Sequence, residues 1–340
     1  MVQQARERKT GKGKGDWMSV TGCADDSKAG PADAPSAAGQ PAPQAARRPE
    51  KLVIFANKYA GALSRLKGET SLEEYAREAG LEAEVVYTNS GIHLRRILRE
   101  QVIGKLKRVA VAGGDGTIHS AVQVLANSGV EMGILPQGTA NNFANALRLP
   151  LDLPSAFRVL AEGEARPVSL GEADGEYFTE AAGAGFFAEA LALGGAARRA
   201  KNPLKMMYAA LQLLLTNRAH RLMLDLDGDR LEQEILSVTV ANSYCVGLNF
   251  PIAPHARLTD DYLDIVIVEP LSRREFIPYY QAMRMQSHTS LPKVRVLRAR
   301  NIHISARRPV RVHVDDRARR KTPLNIRIVP EGLRVVVDRL

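Results

Sequence analysis

Cysteine, tryptophan and long apolar runs are scarce in this chain. Only two cysteines, Cys23 and Cys245, occur in 340 residues, far apart in sequence. Neither a disulfide framework nor a zinc knuckle is available, and a reducing cytosol fits. The longest apolar run, Met206 to Leu215, is broken by Gln212 and falls short of the roughly 20 residues that span a bilayer; the N-terminus has no signal-peptide apolar region. Aromatic residues are only 5% of the chain. Acidic residues are also in deficit, with 47 basic against 37 acidic side chains and a formal charge of +10. That balance points to an anionic partner: nucleic acid, a phosphate-bearing substrate or an anionic membrane surface.

A chain of this length suffices for two domains, each burying its own core. Residues 1–49 read as a disordered tail, basic and Gly-rich at Lys9 to Gly15, then rich in Ala, Pro, Gly, Ser and Gln without hydrophobic period. From residue 50 to 165, β-branched runs at Leu52–Ala56, Ala83–Thr88, Arg108–Ala112 and Glu131–Leu135 alternate with amphipathic stretches at Leu72–Ala79, His93–Ile103 and Ile118–Asn127. That alternation predicts a doubly wound α/β domain with a parallel sheet. Beyond Pro167 strand follows strand, which predicts a β-rich, sandwich-like second domain over 166–340 whose last strand can return to the first. Helices at Leu204–Leu215 and Arg273–Met285 interrupt it, the former with a wide apolar face beside which a lipid can pass or which faces a core.

Two glycine turns carry the chemistry. Val109 to Ala112 is a buried-strand run ending in Gly113-Gly114-Asp115-Gly116-Thr117, where missing Cβ atoms let backbone approach a phosphate and a helix N-terminus offers free N–H groups. Asp115 beside phosphates calls for a divalent cation between them, hence a magnesium nucleotide. One unit later Pro136-Gln137-Gly138-Thr139-Ala140-Asn141-Asn142-Phe143 repeats the plan. Two such turns on neighbouring parallel strands share one sheet edge, where open α/β sheets bind ligands. Taken singly, each also reads as an ordinary turn or helix cap. No Walker P-loop occurs, and Gly183-Ala184-Gly185-Phe186-Phe187-Ala188 lacks the downstream acid of a dinucleotide fingerprint, so it reads as a packing turn.

With both motifs in this order, the chain from about Lys51 onward resembles the diacylglycerol kinase catalytic domain family, which includes bacterial lipid kinases and the sphingosine and ceramide kinases. Gly-Gly-Asp-Gly alone is shared with NAD kinases and phosphofructokinases; the second motif favours lipid kinases. The resemblance implies an ATP- and Mg-dependent lipid kinase acting on a hydroxyl of a diacylglycerol-like or long-chain-base lipid. Nucleotide contacts implied by it are Asn57, Lys58, Tyr59 and Gly61, with Lys58 replacing the family's proline, then Thr88, Gly113, Gly114, Asp115, Gly116, Thr117, Gly138, Thr139 and Asn141. The family's Asn-Glu after the first turn is here His119-Ser120, a departure that bears on how the adenine side is held; His119 reads as a polar helix residue, with a catalytic base as the alternative. A structural magnesium is implied at Asp261 with the carbonyls of Leu258 and Leu263, although Tyr262 replaces the family's glycine. The family's Asp-Gly-Glu becomes Asp315-Asp316-Arg317; Asp315, or Asp316 after a small register shift, is the expected proton acceptor and Asp115 the organiser of the nucleotide.

Basic residues crowd the same stretch, from Lys293, Arg295, Arg298 and Arg300 to Arg317 and Lys321. At about 1 kcal/mol per basic residue near an anionic surface, a few facing one way hold a protein at a membrane. No aromatic residues interleave with them as stacking platforms, so nucleic acid is not an expected partner. The expected setting is cytoplasmic with peripheral membrane association, and a homodimer stays open. The rival readings are a catalytically weak or inactive nucleotide- or lipid-binding relative, motivated by Arg317, and a soluble NAD kinase-like enzyme.

Overall fold

The computed structural model describes residues 51–59, 71–199, 218–247 and 249–339. The expected tail, Gly61 and the helix Leu204–Leu215 lie outside the described residues.

Four parallel strands, β1 (Leu52–Asn57), β2 (Ala83–Thr88), β3 (Arg108–Gly113) and β4 (Glu131–Pro136), stand in the order β2-β1-β3-β4. They run in register, with Asn57 opposite Thr88, Ala56 opposite Ala112 and Gly113 opposite Pro136, so all four carboxyl ends reach one edge. β3 and β4 are buried almost throughout, as strands covered by helices on both faces must be. Helix α1 (Leu72–Glu78) begins at a capping box in which Ser71 Oγ accepts the Glu74 N–H and Glu74 Oε2 accepts the Ser71 N–H. Helix α2 (Gly91–Ile97) runs on through a π-turn at Leu98–Val102, which keeps Leu94, Ile97, Leu98 and Val102 in the core. Helix α3 (Asp115–Leu125) follows β3, and α4 (Asn142–Ala146) follows β4. Helix α5 (Leu153–Glu162), capped by Asp152, leads into β5 (Glu164–Ala173), a strand with no counterpart among the sequence expectations.

The remaining strands are β6 (Glu176–Phe178), β7 (Ala181–Gly185), β8 (His220–Leu226), β9 (Asp229–Ile235), β10 (Ser237–Ala241), β11 (Leu263–Val268), β12 (Val294–Ala299), β13 (Asn301–Ala306), β14 (Arg311–Val314), β15 (Arg317–Lys321) and β16 (Leu324–Val337). An antiparallel sheet in the order β12-β11-β10-β7-β14-β15 faces the antiparallel part of the first sheet, β16-β13-β8-β9. Alternation builds the layer between them: Leu222, Leu224, Ile302, Ile304, Leu324 and Ile326 from one sheet meet Val238, Val240, Ile265, Ile267, Val312 and Val314 from the other. The opposite face of the six-stranded sheet packs Leu236, Val266, Val268 and Val294 under Phe186, Phe250, Tyr279 and Met283.

The last strand runs unbroken from Leu324 to Val337, because β5 pairs along it from Ala173 to Glu164 across a bulge between Val329 and Leu333, where Glu331 adopts a positive φ of 51°. That strand also pairs parallel with β4 through Arg334 and Val335 and antiparallel with β13 through Leu324 to Arg327. Gly183 to Ala188 is the end of the central strand β7 and the start of helix α6 (Phe186–Arg199), with Gly185 at φ 94° making the reversal.

Candidate active site at the carboxyl edge of the parallel strands

The two glycine turns touch. A Cβ on Gly114 would lie 2.8 Å from the Gly138 Cα, and one on Gly138 would lie 2.6 Å from the Gly114 Cα. Only backbone fits on either side, and any side chain there would push the turns apart. Asn141, in the left-handed region at φ 51°, braces the second turn: its Oδ1 accepts the Gly138 N–H at 2.8 Å and its Nδ2 donates to the Gly138 carbonyl at 3.2 Å. Asn57 Nδ2 donates to Thr117 Oγ1 at 3.1 Å, tying the end of β1 to the first turn of α3, and Asn57 Oδ1 accepts the Tyr59 N–H. Thr88 is buried and its hydroxyl donates to the Ala56 carbonyl, so it anchors strand ends. Tyr59 and Thr139 are exposed at the mouth of the same edge.

Asp115 sits against the start of α4. Burial raises its carboxyl above the ordinary value, while the backbone N–H groups of Phe143, Asn141 and Asn142 pull it back down. The adjacent Gln137 side chain is buried and its Oε1 has no partner among the described residues. A cradle that admits no Cβ, a carboxylate and an unpaired buried acceptor suit a phosphate-bearing ligand accompanied by a cation.

Across the edge stand residues of the sandwich. Asp315, at φ 49° in the turn between β14 and β15, has its carboxylate 2.7 Å from His119 Nδ1, and it accepts the backbone N–H of Glu180 at 2.8 Å and of Thr179 at 3.3 Å. His119 is no surface position. It is buried on α3, with Nε2 3.0 Å from Glu176 Oε1. Burial disfavours its charge, but the bonds to Asp315 and Glu176 outweigh that and raise its pKa to about 9. Asp315–His119–Glu176 is thus an ion-paired clasp joining α3 to the sandwich.

Glu180 was invisible to sequence reasoning, although an acid inside the apolar run Phe178 to Ala182 was its signal. It is buried, accepts from Asn142 Nδ2 and from the Gly247 N–H, both at 2.9 Å, and is held well above the usual carboxyl range by burial and by the charges of Asp315 and Asp115. Asn142 also donates to the Gly247 carbonyl, so α4 is stitched to the sandwich at the same point. Asp316 is exposed, 3.7 Å from Arg317 Nε. The Arg317 guanidinium approaches the first turn, with Nη2 4.0 Å from where a Gly116 Cβ would stand.

Around the second expected metal position the geometry is different. Asp261 lies 3.7 Å from Arg300 Nη2, Asp260 pairs with Arg298, and both guanidinium groups flank the Tyr262 ring at 4.8 and 5.0 Å. The Leu258 carbonyl accepts the Ser169 N–H at 2.7 Å, and Leu263 is a buried strand residue opposite Ala299. Arginines already neutralise this turn, so these residues do not fit a divalent cation, and no group of three metal-ligating side chains occurs among the described residues.

Comparisons with known proteins agree with this architecture. Residues 51–173 match the diacylglycerol kinase catalytic domain, and residues 180–337 match the YegS C-terminal NAD kinase beta sandwich-like domain. A diacylglycerol kinase of Mycobacterium tuberculosis is 26% identical over 298 residues, covering 85% of this chain and 96% of that protein. One from Bacillus subtilis is 25% identical over 242 residues, covering 70% of this chain and 80% of that protein. The crystal structure of a putative diacylglycerol kinase from Bacillus anthracis superposes with a TM-score of 0.68 at 21% identity, covering 85% of this chain and 97% of the other.

Proposed function

Since the chain belongs to the diacylglycerol kinase catalytic domain family, we propose that it transfers the terminal phosphoryl group of ATP, with magnesium, to a hydroxyl of a diacylglycerol-like or long-chain-base lipid. The observation that carries this reading is the contact between the Gly113–Thr117 and Gly138–Asn141 turns beside Asp115, facing Asp315 across the edge. Residues 50–165 would hold the nucleotide and 166–340 the lipid.

In the proposed reaction the acceptor oxygen forms a bond to the terminal phosphorus as the bond to the bridging oxygen breaks, and the hydroxyl proton passes to Asp315. Phosphoryl transfer asks mainly for positioning and charge neutralisation. The two turns align the phosphates with backbone N–H groups, and Asp115 would hold the magnesium ion, which supplies positive charge for the departing diphosphate. His119 keeps the Asp315 carboxylate oriented.

Arg317 motivates a second reading, a nucleotide- or lipid-binding protein with little turnover, because a guanidinium stands against Gly116 where the family resemblance implies a carboxylate. The sandwich match is also compatible with a soluble NAD kinase-like activity, which phosphorylation of a dinucleotide without vesicles would reveal. The deciding experiment incubates the purified protein with labelled ATP, magnesium and a total lipid extract in anionic vesicles. A labelled lipid that disappears in Asp115→Ala supports the proposal; equal product from that variant removes the turn from the mechanism.

A further inference from the structure

Helix Arg273–Arg284 has an outer face that, apart from the contact of the Tyr280 ring with Phe250, nothing among the described residues covers. Its inner side is packed: Phe276 meets the Phe186 ring edge-on at 5.1 Å, and Tyr279 and Met283 join the cluster over the six-stranded sheet. Yet no residue of the helix is buried. With 3.6 residues per turn, Arg273, Ile277, Tyr280 and Arg284 form one outward stripe, flanked by Arg274 and, just past the last turn, Met285. Ile277 is 62% exposed, Tyr280 46% and Met285 79%. The helix has one acid, Glu275, and it is tied to Lys293 Nζ at 2.9 Å and to the Ser272 N–H. The outer face therefore carries three guanidinium groups, three exposed apolar side chains and no carboxylate.

That composition selects its occupant. Guanidinium groups pair with anionic headgroups, while an aliphatic, a thioether and an amphipathic phenol enter the acyl boundary, the division of labour found in helices that lie in a membrane interface. A protein partner of matching shape would need a dense acidic rim; a bilayer needs only surface charge. The position is also apt: the Tyr280 ring meets Phe250, 6.3 Å between centroids, Phe250 pairs with Val246, and the neighbouring Gly247 N–H binds Glu180 at the candidate site.

We propose that this face, Arg273 to Met285, is the surface on which the protein docks to an anionic bilayer, so that the loop beside the site meets lipid at the interface. The proposal rests on the lipid kinase reading above, and its test separates the two. Full-length protein is sedimented with phosphatidylcholine vesicles with and without phosphatidylglycerol. Binding should require phosphatidylglycerol and weaken with salt. Ile277→Asp with Met285→Asp should lower the partition coefficient at least about tenfold, and Arg273→Glu with Arg274→Glu at least about tenfold as well. Thermal unfolding should be unchanged in both, because every altered side chain is exposed. Phosphorylation of a water-soluble short-chain diacylglycerol should match wild type. Wild type that ignores anionic vesicles, or variants that partition equally, would overturn the docking surface. A lipid-free wild-type dimer turned monomeric by the same substitutions would assign the face to self-association instead. Absence of activity on the soluble acceptor in wild type would count against the lipid kinase reading alone.

Discussion

Replacing His119 by Gln should change how stability depends on pH. His119 is buried between Asp315 and Glu176, and its pKa is raised to about 9 against about 6.5 for a free imidazole. A histidine raised in the folded state contributes its full stabilisation below the unfolded value and loses it as pH climbs through the folded one. The window therefore runs from about pH 6.5 to about pH 9, and the loss across it is about 3 kcal/mol, at about 1.4 kcal/mol for each pH unit between the two values. His288 and His313 are shifted downward by burial, His313 to about 4, so they act below that window. Urea unfolding near pH 6 and near pH 9.5 should show wild type losing about 3 kcal/mol more than His119→Gln, with the slope against denaturant unchanged in both; Glu180 and Cys245, whose folded values are also raised, titrate in both proteins. His119→Gln should start lower, by about 3 kcal/mol, because Asp315 stays buried without its charged partner, and should then lack the histidine's share of the loss on raising the pH. Parallel curves for the two proteins would refute the clasp.

Further outcomes follow from the same contacts. Gly138→Ala should leave the core intact but weaken ATP binding at least about tenfold, measured by calorimetry, since a Cβ there meets both the Gly114 Cα and Asn141 Oδ1. Asn142→Ala should cost about 2 kcal/mol in thermal or urea unfolding, because Glu180 loses a buried donor. Arg317→Glu should raise lipid phosphorylation markedly if the guanidinium at Gly116 limits turnover; an unchanged rate would place the limiting step elsewhere.

The alternation of β-branched runs and amphipathic stretches up to residue 165 is readable because β3 and β4 are buried almost throughout, while the edge strand β2 is recognisable by its β-branched residues and its flanking turns. The run Ala83–Thr88 has the same ends as β2 in the structure. β5 and β15 escaped notice for a physical reason: Glu164–Ala173 alternates weakly and carries Pro167, and Arg317–Lys321 is nearly all cationic, so neither shows an apolar period. The two glycine turns were legible from local spacing, but their contact was not, since it depends on the register of β3 against β4. Likewise His119, Glu176, Glu180 and Asp315 are separated by up to 196 positions in sequence, and only the packing of α3 against the sandwich turns a polar helix residue into a charged clasp.

The most direct test of the central claim uses Asp315→Asn, which keeps the side-chain volume and removes the proposed proton acceptor. Transfer of labelled phosphate to diacylglycerol and ATP binding would be measured on the same folded sample. Transfer should fall at least about 100-fold with ATP affinity within about twofold of wild type, the loss expected of a general base. Transfer at the wild-type rate would contradict the assignment of Asp315 and, with it, the proposed chemistry of this edge.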